Sequence, residues 1–427
     1  MDALVLCGSF TLFMLVGMPV AYALGLSGIV GALWIELPLD AVMIHITSGV
    51  NKFSLLAIPF FVLAGALMAE GGISRRLVAF ASVLVGFLRG GLSLVNILAS
   101  TFFGAISGSP VADTASIGTV MIPEMVRNGY PRAFAAALTI SGSIQATLIP
   151  PSHNAVIYSM AAGGSISIAA LFMAGVFPGL LLGAVLATYC LIIAKKRNFP
   201  KGRAIPMREA LKICLDATWG LMTIVIILGG ILTGVFTATE SASMAVIWAF
   251  FVTMFIYRDY KWHDLPKLMF RVVKTVSVVM MLMALSGAFG YAITLMQIPN
   301  RMTGFILELT REPMMILFLI NIMLLVLGTV MDMAPMILIL TPILLPVVKA
   351  VGIDPVHFGM IMITNLAVGL ISPPVGTVLF VGSAVSRLPM GVVIRAMNPF
   401  WVLLLITLMI ITYVPAVSLW LPKAMGL

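Results

Sequence analysis

The chain of 427 residues is 61% hydrophobic and 9% charged, with a mean hydropathy of +1.17 and a formal net charge of +9. So little polar surface cannot cover a soluble fold of this size, which excludes a soluble globular protein and predicts an all-α polytopic membrane protein. The positive charge gathers in one loop between long apolar stretches, at Lys195, Lys196, Arg197, Lys201, Arg203, Arg208 and Lys212, a pattern of membrane topology rather than of a nucleic-acid surface.

The opening Met1-Asp2-Ala3 lacks a basic leader region, so no signal peptide is expected. Membrane spans are predicted near 3–16, 19–35 and 53–70, with 36–52 as an arm in the headgroup region. A re-entrant hairpin at 92–127, a broken span at 131–162 and a span at 168–194 follow. Beyond the basic loop the same order returns: spans 216–236 and 241–257, an arm 258–274, a span 275–293, a hairpin 313–348, a broken span 355–385 and a last span 396–422. The run from Tyr257 to Asp264 mixes aromatic and charged residues, as a helix in the headgroup layer does. Cys7, Cys190 and Cys214 are scattered and suggest neither a disulfide framework nor a metal cluster.

The two halves read as versions of one another. Phe103 to Asp113, Pro123, Pro131, Phe134 and the double proline in Leu148-Ile149-Pro150-Pro151-Ser152-His153-Asn154 have counterparts about 224 residues on. These are Leu327 to Pro335, Pro346, Pro355, Phe358 and Ile371-Ser372-Pro373-Pro374-Val375-Gly376-Thr377. Leu63-Ala64-Gly65-Ala66 likewise matches Leu285-Ser286-Gly287-Ala288. Paired hydrophobic segments interrupted by Gly, Pro, Ser and Asp point to the binding site of a secondary transporter. The chain is accordingly divided into repeat one at 1–194, the basic loop at 195–215 and repeat two at 216–427. Five crossings per repeat invert the second against the first. This drawing puts nineteen of the 24 Lys and Arg on the cytoplasmic side, leaves Lys52, Arg301, Arg311, Lys349 and Lys423 outside, and makes both termini periplasmic.

Backbone that leaves a helix at membrane depth is tolerated where it is buried in protein or lines a cavity. Ser107, Gly108, Ser109 and Asp113 offer hydroxyls, flexible backbone and a carboxylate beside the break at Leu148-Ile149-Pro150, oxygen donors suited to a hard cation such as sodium. Gly328, Asp332 and Met333 stand in the same relation to the break from Gly369 to Ser372. The plainer alternatives are serines bonded to their own helix and glycines that serve packing. The two carboxylates are harder to explain so, because an ionisable residue within the bilayer is costly. The repeat offset pairs Asp332 with Gly108 or Ser109, so either carboxylate could instead orient a tip. Lys and Arg are absent from the tips and breaks. An anionic substrate would therefore meet the helix N-termini after the double prolines, at Ser152-His153-Asn154 and Val375-Gly376-Thr377. His153 is either a titrating contact or a hydrogen-bonded structural residue. No His/Cys cluster, Gly-x-Ser-x-Gly elbow or phosphate loop suggests an enzyme. The alternative function is an ion channel or a proton-coupled carrier working without a binding protein, although the few intramembrane charges outline no continuous pore.

Ser54-Leu55-Leu56-Ala57-Ile58-Pro59-Phe60-Phe61, Ser107-Gly108-Ser109-Pro110-Val111-Ala112-Asp113-Thr114-Ala115, Met331-Asp332-Met333-Ala334-Pro335 and Gly369-Leu370-Ile371-Ser372-Pro373-Pro374-Val375-Gly376 resemble motifs of the large membrane subunit of TRAP transporters. The resemblance covers essentially the whole chain. It implies a tripartite, ATP-independent importer in the bacterial inner membrane, in which a periplasmic binding protein delivers an organic acid. A small four-helix membrane subunit flanks the large one, two or more sodium ions drive uptake, and hairpins and broken helices slide elevator-fashion against a scaffold in contact with membrane lipid. Carried over by motif, the first sodium site falls on Ser107, Gly108, Ser109, Asp113, Ala146, Ile149 and Pro150. The second falls on Gly328, Asp332, Met333, Gly369 and Ser372, and substrate contacts fall on Ser109, Thr114, Ser152, His153, Asn154, Gly376 and Thr377. Pro110 and Ser372 depart from the Ala and Thr of many members. Pro150 to Asn154 resembles the branch that includes sialic acid and sugar-acid transporters, which puts sialic acid ahead of C4-dicarboxylates as the expected substrate.

Overall fold

The computed structural model describes residues 1–202 and 205–427, so Arg203 of the basic loop lies outside the described residues. The first half runs α1 (Asp2–Leu15), α2 (Val20–Trp34), α3 (Leu39–Val50), α4 (Ala57–Glu70), α5 (Ile73–Val85), α6 (Gly91–Ser107), α7 (Pro110–Arg127), α8 (Arg132–Ser143), α9 (Gln145–Leu148), α10 (His153–Ala161) and α11 (Ile168–Lys196). The second runs α12 (Met207–Leu232), α13 (Ala238–Phe251), α14 (Leu265–Leu295), α15 (Ile298–Leu309), α16 (Pro313–Gly328), α17 (Met333–Ala350), α18 (Pro355–Gly369), α19 (Thr377–Ser386), α20 (Met390–Tyr413) and α21 (Ala416–Ala424). Among the described residues, seven helices are long and apolar enough to cross a membrane, or eight if the bent pair of segments 132–148 and 153–161 counts as one span.

The helix ends follow local chemistry. Ser109 caps α7, its Oγ accepting from the Ala112 N–H at 3.3 Å, and Pro110 follows at the first helical position. Asp354 caps α18 by accepting from the Val356 N–H at 2.8 Å, again with proline next. Thr237 and Glu240 bond reciprocally at the start of α13.

Two layers result. In one, α4 packs on α13, while α14 runs along α2 and α3. In the other, α7 packs on α8 and α19, α16 on α18, α10 on α17 and α11 on α21. Every residue from Phe134 to Ser143 and from His357 to Gly369 is buried, so the first arms of both broken spans lie at the centre of this second layer. The outer helices turn Leu4, Leu12, Leu211, Leu215 and Val225 outward, as lipid-facing helices do. On α11, Gly175, Gly179 and Gly183 seat the first break: a β-carbon at Gly183 would lie 2.7 Å from the Gln145 Oε1, and at the other two it would strike Leu148 and Ile149.

The structure departs from the sequence reading in four places. Of the ten crossings predicted, α1 and α2, with 14 and 15 residues, and the two helices of 355–386 are each too short to qualify as a span, whereas α17, read as the second helix of a hairpin, is long and apolar enough to be one. The second arm and the span after it are not separate: α14 is one helix of 31 residues, entered through Asp264 and Pro266. The last predicted span is divided at Val414-Pro415 into α20 and α21. Between residues 70 and 92, and again between 293 and 313, the structure adds α5 and α15. Both are short and amphipathic, and each bridges the layers, α5 between α6, which packs on α8, and α12, which packs on α13, and α15 between α14 and α17. Arg76 fastens α5 to the first layer. Its Nε and Nη1 lie 3.0 and 2.5 Å from the carboxylates of Asp216 and Asp259, and its guanidinium lies 3.6 Å above the Tyr257 ring.

Candidate functional site

The first hairpin turns at Gly108, which closes α6 in the left-handed region with φ +60°. Its backbone lies against the double-proline break: a β-carbon there would come within 2.8 Å of the Pro151 carbonyl oxygen and 3.4 Å of His153 Nδ1. One turn earlier a β-carbon on Gly104 would lie 2.8 Å from the Ala146 Cα, and across the layer boundary one on Gly65 of α4 would lie 3.0 Å from the Ser107 Cα. Three segments distant in sequence thus converge on one tip, held together by small residues.

The second tip is built alike. A β-carbon on Gly369 would lie 2.6 Å from the Gly328 carbonyl oxygen. The Val375 N–H after the second double proline donates to the Thr329 carbonyl at 3.2 Å, and the Trp401 Nε1 donates to the Ile371 carbonyl at 3.1 Å. Asp332 caps α17, its Oδ1 accepting from the Met333 N–H at 2.9 Å. The Ser372 hydroxyl donates to the Val368 carbonyl at 2.8 Å, as a serine back-bonded to its own helix.

The oxygens at these breaks suit a hard monovalent cation. The carbonyls of Ser107, Ala146, Ile149, Pro150, Gly328 and Ser372 accept no hydrogen bond from a described residue, and buried carbonyls ordinarily find a donor. Among the described residues no group of three or more His, Cys, Asp or Glu is placed to hold a metal ion. Asp113 is wholly buried, neither carboxylate oxygen has a hydrogen-bond partner, and the Ser100 hydroxyl lies beside it.

A cavity of about 430 Å³ opens between the layers at the first tip. Of the substrate and ion candidates read from sequence, it gathers Ser107, Ser109 and His153. Thr114, Ser152, Asn154, Gly376 and Thr377 are not in its lining. Thr114 faces the other way, its methyl 3.7 Å from where a β-carbon on Gly382 would lie, and the Ser152 hydroxyl is committed to the Thr147 carbonyl at 2.6 Å. The opposite wall is supplied by α4 and α14, through Val62, Gly65, Glu70, Leu268, Arg271 and Thr275, none of which the sequence reading named as a site residue, Gly65 having entered it only as part of the repeat. Also unread were two buried amide contacts that tie each hairpin to its broken span. The Asn96 Nδ2 donates to the Thr139 Oγ1 at 2.7 Å, and the Asn365 Nδ2 donates to the Asn321 Oδ1 at 2.7 Å. Lone amides in otherwise apolar helices were the signal for them.

The sequence matches, over residues 7–417, the family described as "Tripartite ATP-independent periplasmic transporter, DctM component". The chain belongs to that family. It is 44% identical over 88% of both chains to the C4-dicarboxylate TRAP transporter large permease protein DctM of Pseudomonas aeruginosa. It is 38% identical, over 88% of this chain and 87% of the other, to the sialic acid TRAP transporter large permease protein SiaM of Vibrio cholerae. Among solved structures, the YdaH transporter of Alcanivorax borkumensis superposes with a TM-score of 0.64, covering 91% of this chain and 89% of that one at 14% identity, a likeness of fold. The protein is thus a multi-pass large permease of a bacterial TRAP transporter and not an enzyme, and the family implies a small membrane subunit and a periplasmic binding protein as partners.

Proposed function

We propose that this permease imports an organic acid by sodium symport, receiving it from the binding protein and moving it between two inverted repeats by sliding the hairpin layer against the layer of α2, α4, α13 and α14. The observation that carries the reading is the cavity at the layer boundary, where the first hairpin tip meets the break after Pro150 and a wall from the other layer. A site on such a boundary is exposed to either side of the membrane by displacement of one layer. The unpartnered carbonyls at both breaks favour two cation positions, on Ser107, Ala146, Ile149 and Pro150 and on Gly328 and Ser372. A cation held there supplies positive charge beside the carboxylate of the cargo. C4-dicarboxylates and sialic acid, in the names of the two relatives above, are carboxylic acids, and a relative 40% identical is named for the sulfonate isethionate, so an organic anion is the shared chemistry. Pro150 to Asn154 favours sialic acid or a sugar acid, and the higher identity to a dicarboxylate permease favours a C4-dicarboxylate as the second reading.

The test is thermal unfolding of the purified permease with its small subunit in sodium, potassium or choline chloride at equal ionic strength. Sodium should raise the midpoint in a saturable way, because a ligand of the folded state alone stabilises it by mass action. Equal midpoints in all three salts would remove sodium from the account.

A further inference from the structure

Resting on the organic-acid reading, we propose that Arg271 receives the substrate carboxylate in the cavity by exchanging it for Glu70. The formally charged side chains among the described lining residues are these two, and the Arg271 Nη1 is bonded to the Glu70 Oε1. A second cavity of about 410 Å³ shares Ala69, Glu70, Ala115 and Ser116 with the first and is lined further by Arg75 and Asp259, on the side the positive-inside rule assigns to the cytoplasm. An acid leaving Ser109 and His153 on that route passes Arg271.

The pair is built to be exchanged. Both partners are partly open, at 66% and 37% side-chain exposure, and ion pairs so exposed are worth little. Glu70 is the last residue of α4, where the helix dipole presents its negative end and disfavours a carboxylate. A free carboxylate meets no such penalty and can take the same guanidinium in a charge-assisted pair. With Glu70 as a resident competitor, Arg271 attracts the anion without trapping it. The sequence reading found no cation in the tips or breaks; this one comes from the opposite layer.

Binding of succinate and of N-acetylneuraminate to the purified permease with its small subunit, measured by calorimetry in sodium chloride, separates this role from a structural ion pair. Glu70→Gln removes the competitor and should tighten binding about threefold. Arg271→Gln should weaken it about tenfold, the equivalent of about 1.4 kcal/mol. Arg271→Lys, which keeps the charge, should fall between wild type and Arg271→Gln, and the double variant should follow Arg271→Gln. Since both Gln variants break the same pair, a purely structural role moves affinity and melting temperature in one direction for both, and that result, or unchanged affinity in Arg271→Gln, would overturn the proposal. Wild-type protein that binds neither acid in sodium would remove sialic acid and C4-dicarboxylates as substrates and overturn this inference with them.

Discussion

Asp113 and Asp332 both stand at the start of the second helix of a hairpin, yet they do different work. The Asp332 carboxylate caps α17, and Asn is as good a cap as Asp. Asp332→Asn should therefore insert and melt like wild type, whereas Asp332→Ala should lose about 1 kcal/mol of stability with the cap. Both should abolish sodium-driven uptake if the charge serves coupling; full uptake by the Asn variant would confine the residue to capping. Asp113 is wholly buried with, among the described residues, only the Ser100 hydroxyl beside it and no cationic side chain, and a buried charge so thinly compensated is expensive. Asp113→Asn should raise the melting temperature in sodium-free buffer and shrink the further rise on adding sodium, and an unchanged sodium response would detach Asp113 from ion binding. Both carboxylates were legible in the sequence as ionisable residues in apolar surroundings. Their difference was not, because it depends on which one finds a backbone N–H.

At the scale of elements, Pro, Gly and Ser wrote the hairpins and breaks plainly into the sequence. The predicted hairpin at 92–127 became α6 and α7, and the broken span at 355–385 became α18 and α19. What escaped was set by packing. Helices α5 and α15 are 13 and 12 residues long and too charged to read as spans, so only their contacts with both layers identify them. The fusion of the second arm into α14 was hidden by the charged and aromatic run before Leu265, which resembles a headgroup segment whether or not a helix continues from it. Close backbone approach makes the tips sensitive: Gly369→Ala would press a methyl onto the Gly328 carbonyl and should cost about 1–3 kcal/mol. Gly229→Ala, where nothing lies within 4 Å, should be neutral or slightly stabilising. Thermal melts of the pair check this, and equal midpoints would contradict the packing described. Asn321→Ala removes the acceptor of Asn365 and the donor to Thr412 Oγ1 and should cost about 1–2 kcal/mol.

Over the whole molecule, composition was enough to predict the class of protein, but not which faces meet. The cavity needs α4 and α14 to stand opposite α7, and no periodicity in any one helix specifies that neighbour. Hence Ser109 and His153 were foreseeable and Arg271 was not. Transport of an organic acid at the boundary between the layers, on a sodium gradient and from a binding protein, is what we propose. It is tested most directly by uptake of radiolabelled N-acetylneuraminate and succinate into proteoliposomes holding this chain and its small subunit. Uptake of one of these acids only when both an inward sodium gradient and the cognate binding protein are present is the expected result. Flux that persists without sodium and without the binding protein would contradict it and favour a channel or an independent carrier.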